Sequence, residues 1–312
     1  MLERRIVITG ATGMVGTALS TALAADGWTI VPITRHPVPG GIAWAAGDGP
    51  LDPAALTGAT AVINLAGENL AGGRWTDARK RRLRDSRIDT TTKLVEAITR
   101  ADPPPPVLIS VSAVGYYGDR GDELLDESSP PGEDFLARLC VDWEAACRPA
   151  RYAGVRVVHP RFGMILSPHG GALDRMLPVF RLGLGGRFGN GQQWLSWITI
   201  ADVVAAIRLM LATTAIEGPV NVTAPEAVRN LQFAHLLGDA LHRPAVLPAP
   251  AVALRVALGE MADAALLGSQ RVVPRVLQEH GFRWQDPTLR DALSRMVGRP
   301  AAEPAEPVAT GS

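Results

Sequence analysis

The sequence has little cysteine, no long apolar run and no net charge, and each shortage removes a class of protein. Cys140 and Cys147 are its two cysteines in 312 residues. The pattern around them predicts one shared helix. At about 1.5 Å of rise per residue their Cα atoms would stand roughly 10 Å apart, beyond the about 7 Å that a disulfide spans. They read as buried thiols, and a disulfide-stapled scaffold is excluded. The six histidines are scattered, with no HxxxH or CxxC pair, so no metal site is expected. The most apolar stretch, Ala249 to Leu267, is interrupted by Arg255, Glu260 and Asp263, so no membrane span is expected. Basic and acidic residues number 31 each, a formal net charge of +0, which favours neither nucleic acid nor a membrane surface as partner. The first β-branched run begins within a few residues of Met1, leaving no secretory signal in view. A cytoplasmic monomer or homodimer that handles a small molecule is expected.

An apolar content of 47% with 20% charge describes a globular chain long enough for one large or two modest domains. Strands and helices alternate through its first half. Arg5 to Thr9, Trp28 to Thr34, Ile42 to Trp44, Ala61 to Ala66, Val107 to Ser112 and Val155 to Arg161 read as strands. Helices are expected after Gly13, from Thr76 to about Arg100, and from Phe135 to Ala150. This alternation of helices with continuously apolar strands calls for a parallel, doubly wound sheet. The second half changes character. Asn190-Gly191 ahead of Gln192 to Trp197 predicts a hairpin turn, Asp202 opens or caps an apolar helix from Val203 to Leu211, and Val220 to Val222 is a late strand. From Asn230 onward the pattern is mostly helical. Residues 299–312 are Ala, Pro, Glu and Gly without periodicity and are expected to be a disordered tail.

The chemistry begins at the first turn, Gly10-Ala11-Thr12-Gly13-Met14-Val15-Gly16, where a strand ends and a helix starts. Backbone N–H groups and a helix dipole aimed at one spot suit a pyrophosphate. Gly10 permits the turn, Gly13 admits the ligand and Gly16 lets helix and strand pack. At the end of the second strand, where a carboxylate would hydrogen-bond an NAD ribose, stand Thr34 and Arg35. An arginine pairs with a 2′-phosphate that a carboxylate would repel, so NADP(H) is the expected cofactor. Asn64, Leu65, Ala66 and Gly67 close the fourth strand at the same sheet edge, their small side chains leaving room for the adenosine half. Among the arginines of the following helix, Arg87 is the one placed to reach a cofactor phosphate; Arg79, Lys80, Arg81, Arg82 and Arg84 read as a solvated face.

These segments resemble the atypical extended short-chain dehydrogenase/reductases, in particular the NAD-dependent epimerase/dehydratase-like proteins with a C-terminal helical domain of undefined role. The resemblance rests on Thr9 to Gly16, Asn64 to Glu68, Arg74-Trp75, Ser112 to Gly118, Trp143-Glu144, Phe180 to Gly186, Trp197-Ile198 with Asp202, and Leu267 to Arg271, nearly the whole chain to Met296. It implies a Rossmann-type α/β sheet with a smaller, mostly helical C-terminal substrate domain. The nucleotide domain would be residues 1–166 with 198–223 returning to it, and the substrate side 167–197 with 224–298.

The resemblance also implies a YxxxK pair whose lysine lowers the tyrosine pKa from about 10 for proton transfer. Counting back from Glu144 puts that lysine at Cys140 and that tyrosine at Leu136, so the pair is missing. Ser112 stands where the hydroxyl donor stands. Tyr116 or Tyr117 could supply the missing acid, with Arg161 beside them as an aid and as a further cofactor contact; both phenols could equally pack without titrating. Asp126 and Glu127 read as loop charges. Trp194, Trp197, Arg181 and Arg187 could line the substrate side, the tryptophans mainly as packing. Two functions are consistent with this: an NADP(H)-dependent oxidoreductase or nucleotide-sugar-epimerase-like enzyme, or a non-catalytic NADP(H) sensor that has lost the proton-transfer pair.

Overall fold

The computed structural model describes residues 4–297. The expected disordered tail lies outside the described residues. The first strand, β1 (Arg5–Thr9), buries Ile6, Val7 and Ile8 completely. A β-branched run buried on both faces belongs in a parallel sheet covered by helices on each side. That sheet continues with β2 (Thr29–Thr34), β3 (Ile42–Ala43), β4 (Ala59–Asn64), β5 (Val107–Ser110), β6 (Arg156–Phe162) and β7 (Gly218–Val222). Their order across the sheet is β7-β6-β5-β4-β1-β2-β3, every neighbour parallel. The order reverses between β1 and β4, so a crevice opens beyond their carboxyl ends, where such sheets take ligands.

One face carries α1 (Met14–Ala25) and α6 (Ile200–Ala212), whose Leu19, Leu23, Val203 and Ile207 pack on Ile6, Ile8 and Val220. The other carries α2 (Asp77–Arg100), which sets Leu94, Val95 and Ile98 against Val7, Val62 and Leu108. Spacings of three and four residues keep these groups on one side of each helix.

The fifth strand breaks at Val111, whose N–H donates to Asn64 O at 3.1 Å. The chain then resumes as the short strand Ser112–Ala113, paired with Arg161 and Phe162 of β6. The single helix expected from Phe135 to Ala150 is two, α3 (Phe135–Ala145) and α4 (Arg148–Tyr152). Pro149 has no N–H and its ring would collide with the carbonyl four residues back, so α3 cannot run through it. Cys140 therefore lies in α3 and Cys147 at the start of α4, both buried and free.

The expected hairpin at Asn190-Gly191 is absent. Asn190 Oδ1 accepts from Gln192 N at 3.0 Å, a local side-chain turn. Trp194–Leu195 pairs antiparallel with Val228–Arg229, and Trp197–Thr199 runs parallel to Met164–Leu166. The late apolar helix starts one turn before its expected opening: Thr199 caps α6, accepting from Asp202 N and donating to the Asp202 carboxylate.

The second core belongs to the later segments. Leu173, Leu177 and Phe180 of α5 (Gly171–Arg181) meet Phe233 and Leu237 of α7 (Asn230–Leu241) and Leu289 and Leu293 of the helix Leu289–Val297. Asp202 ties the two cores together, accepting from Gln285 N at 2.8 Å and Asp286 N at 3.2 Å. Among the described residues no helix is long and apolar enough to cross a membrane, and no group of acidic, histidine or cysteine side chains is placed to hold a metal.

Candidate functional site

The crevice is built from the first turn upward. Gly10 has φ +68°, and a Cβ there would lie 2.7 Å from Leu65 O, so the ends of β1 and β4 approach as closely as bare backbone allows. A Cβ on Gly16 would lie 2.3 Å from Gly10 O. Gly13 is the N-cap of α1 and brings no capping side chain, and the first turn of α1 holds no acidic residue. The N–H groups and positive dipole end of α1 are thus left for an anion. Thr12 is exposed beside them, Met14 and Val15 are half-buried, and the Met14 side chain rests on Gly170 and Gly171 at the start of α5.

At the end of β2, Thr34 Oγ1 donates to His36 O at 2.6 Å. Arg35 is exposed and forms no ion pair among the described residues. On β4, buried Asn64 is the hub of a polar network. It accepts from Thr9 Oγ1 at 2.6 Å and donates to Thr91 Oγ1 at 2.8 Å and Ser110 Oγ at 3.1 Å. The same Oδ1 lies 3.3 Å from Ala66 N and so shapes the turn Leu65-Ala66-Gly67. Arg87 lies beneath that turn with its guanidinium against Gly67, donating to Glu68 O and Leu83 O at 3.0 Å each. Burial lowers its pKa below the ordinary arginine value. Thr9 and Thr91 were not singled out in the sequence, and only their positions facing Asn64 reveal them.

Ser112 Oγ is buried beside the Cys140 thiol and makes no hydrogen bond to an oxygen or nitrogen among the described residues. Leu136, at the place of the missing tyrosine, packs against Gly115 and into an apolar cluster with Trp75 and Leu139. Cys140, at the place of the missing lysine, is buried, and burial raises its thiol to about 11. Neither is a proton carrier at neutral pH.

The two tyrosines part company. Tyr117 is fully buried, donating to Asn221 Oδ1 at 2.7 Å and accepting from Arg161 Nη1 at 3.0 Å. Burial pushes its pKa up to about 12 against the opposing pull of Arg161. Tyr116 is half-buried, its ring 5.3 Å from that of Tyr117 and 3.5 Å beneath the Arg161 guanidinium. Arg161 itself is committed: its Nε and Nη2 bond both oxygens of Glu144, at 2.8 and 2.9 Å. Burial opposes its charge, but the Glu144 carboxylate holds its pKa above the ordinary arginine value. Three of its five N–H groups are thus given to Glu144 and Tyr117. Glu144 and Asn221 are the partners that sequence reasoning missed; Trp143-Glu144 was the available signal for the first.

The loop after the tyrosines is fastened by the C-terminal segment. Ser269 Oγ donates to Gly121 O at 2.6 Å and accepts from Trp194 N at 3.0 Å, and Gln270 Nε2 donates to Gly118 O at 3.1 Å. Trp194 is held by Asp122 at its Nε1, while Trp197 is buried in the second core. Asp126 is a loop charge, as expected, paired with Arg275; Glu127 differs, with Oε1 accepting from Asn221 N and Val276 N. Arg181 is exposed and Arg187 half-buried.

A parallel sheet reversing at β1 and β4, with a glycine turn at that reversal, defines a doubly wound, Rossmann-like protein. Residues 6–223 match the NAD dependent epimerase/dehydratase family, and the chain belongs to that family. Residues 249–296 match a domain of unknown function, DUF1731. Epimerase family protein Mb2239 of Mycobacterium bovis is 45% identical over 302 residues, covering 96% of this chain and 100% of its own. The solved structure of human epimerase family protein SDR39U1 (isoform 2) with NADPH shares 35% identity at a TM-score of 0.86, over 94% of this chain and 99% of that one. MoeE5 in complex with UDP-glucose and NAD has a TM-score of 0.75 at 21% identity, over 94% and 97%, a likeness of fold.

Proposed function

We propose that this protein binds NADP(H) and is an oxidoreductase or nucleotide-sugar-epimerase-like enzyme acting on a carbonyl or sugar-like small molecule. The observation that carries the cofactor choice is Arg35, exposed at the carboxyl end of β2 without an ion pair among the described residues and with no carboxylate in its turn. A guanidinium there attracts a 2′-phosphate. The NADPH named with the human relative supports the same choice.

The residues present fit the group. The bare backbone at Gly10 and Gly16 and the uncapped start of α1 suit a pyrophosphate. Gly10, Thr12, Gly13, Met14 and Val15 would hold it, Thr34 and Arg35 the 2′-phosphate, and Asn64 to Gly67 the adenosine side, with Arg87 bracing that turn and reaching toward a cofactor phosphate. When bound, NADP(H) supplies hydride transfer. Ser112, whose buried Oγ has only the Cys140 thiol beside it, donates a hydrogen bond to the substrate oxygen. Of the two phenols, the more exposed Tyr116 is the one proposed to carry a proton. In this reading residues up to 166, with 198–223, hold the nucleotide, and 167–197 with the segment after 224 face the substrate.

A second reading, an NADP(H)-binding sensor without turnover, is favoured by Leu136 and Cys140 at the YxxxK positions. Incubation with NADPH and a panel of carbonyl compounds and nucleotide sugars separates the two. Turnover that falls in Ser112→Ala and Tyr116→Phe supports the enzyme; cofactor binding with no turnover of any compound supports the sensor.

A further inference from the structure

A cleft of about 240 Å³ opens between the far end of α3, α4 and the strands β6 and β7. Glu144, at its edge, lies eight residues along α3 from Leu136, about 12 Å of helix rise. The cleft runs from Tyr116 and Arg161 to Val157, Gly218 and Pro219 near the amino ends of β6 and β7, on the far side of β5 from the β1 and β4 edge where the nucleotide is proposed. Part of its wall is apolar, formed by Val141, Val157, Pro219 and the Tyr116 ring.

Its charged lining is mostly basic. Glu144 is taken up by Arg161, which bonds both its oxygens, and Arg161 Nη1 donates to Tyr117. That ion pair is neutral as a whole. Two cations remain for a ligand at the mouth. Arg148 is exposed and has no ion pair among the described residues. Arg151 is exposed and meets only the exposed carboxylate of Glu217, at 3.3 Å, a contact that competes weakly. His159 has its Nδ1 3.2 Å from Ser110 O, which leaves Nε2 for a hydrogen bond within the cleft.

We propose that this cleft is a second ligand site that takes a small aromatic carboxylate. The flat apolar body fits between Tyr116, Val141 and Pro219, and the carboxylate lies at Arg148 and Arg151. A bare inorganic anion would leave the apolar walls unused, and a neutral aromatic would leave the two cations unused. Because Tyr116 is also a wall of the proposed catalytic site, its ring is the surface that the two sites share.

The inference does not rest on the NADP(H) reading, so its test uses the full chain without nucleotide. Benzoate is titrated calorimetrically at low ionic strength, with acetate and inorganic phosphate as comparisons. Benzoate should bind more tightly than either, and the double variant Arg148→Ala with Arg151→Ala should weaken it by about tenfold. Glu217→Gln, which releases Arg151, should tighten it by about twofold. These positions are exposed, and unchanged melting temperatures confirm that the variants are folded. Benzoate that fails to bind, that binds the double variant equally well, or that is matched by phosphate overturns the proposal.

Discussion

Arg161 and Glu144 face each other as a fork, Nε to Oε1 at 2.8 Å and Nη2 to Oε2 at 2.9 Å, with side-chain exposures of 3% and 14%. The pair joins α3 to β6 directly under the tyrosines. Removing one partner of such a pair leaves a buried charge uncompensated, which costs about 3–5 kcal/mol. Glu144→Ala should lower the urea midpoint by a corresponding amount. Asp142→Ala, which loses only the 3.6 Å pair with Arg84 between two half-exposed side chains, should change stability by less than about 1 kcal/mol. Equal midpoints for the two variants would contradict this account of the fork.

The first turn makes a steric prediction. In Gly16→Ala the new methyl would meet Gly10 O at 2.3 Å; overpacking of this kind costs about 1–3 kcal/mol. The helix must shift away from β1, so nucleotide affinity should fall together with stability. Gly47→Ala, whose methyl would meet nothing within 4 Å, should leave both unchanged. Denaturation and nucleotide titration of the two variants side by side provide the check.

Tyr117 makes a pH prediction. Burial, against the pull of Arg161, raises its pKa from 10.0 to about 12 in the folded protein. Below pH 10 both folded and unfolded states keep the phenol protonated, so its contribution is fully present. Between pH 10 and about 12 the unfolded chain releases the proton first, and stability falls by an amount on the order of 2–3 kcal/mol. Urea denaturation at rising pH should show this loss in the parent and not in Tyr117→Phe. The same slope in both proteins would place the phenol in a different environment.

What could be read ahead of the structure was local or periodic. The glycine turn involves atoms a few residues apart, and Ile6 to Ile8 announce a doubly covered strand by composition alone. The sheet followed from alternation of strand and helix. Long-range partnerships were not legible. Asn64 meets Thr91 and Ser110 across 27 and 46 residues, and Tyr117 meets Asn221 across 104. Nothing in the segments themselves marks them as partners. Arg161 was visible as a charge at a strand end, but whether it faced a ligand or a carboxylate depended on Glu144. Asn190-Gly191 misled for a related reason: an Asn side chain that bonds the second amide after it makes a turn of its own and needs no paired strands. The break before α4 was readable, since Pro149 stands within the expected helix.

If the first turn holds a dinucleotide and Arg35 selects its phosphorylated form, the two cofactors must bind this protein differently. Direct titration of the parent and Arg35→Ala with NADPH and NADH tests it. The parent should prefer NADPH, and Arg35→Ala should lose about 10- to 100-fold in NADPH affinity, the worth of one charge-assisted phosphate contact, with NADH little changed. Equal affinities of the parent for the two cofactors, or NADPH affinity unaltered in Arg35→Ala, would contradict it.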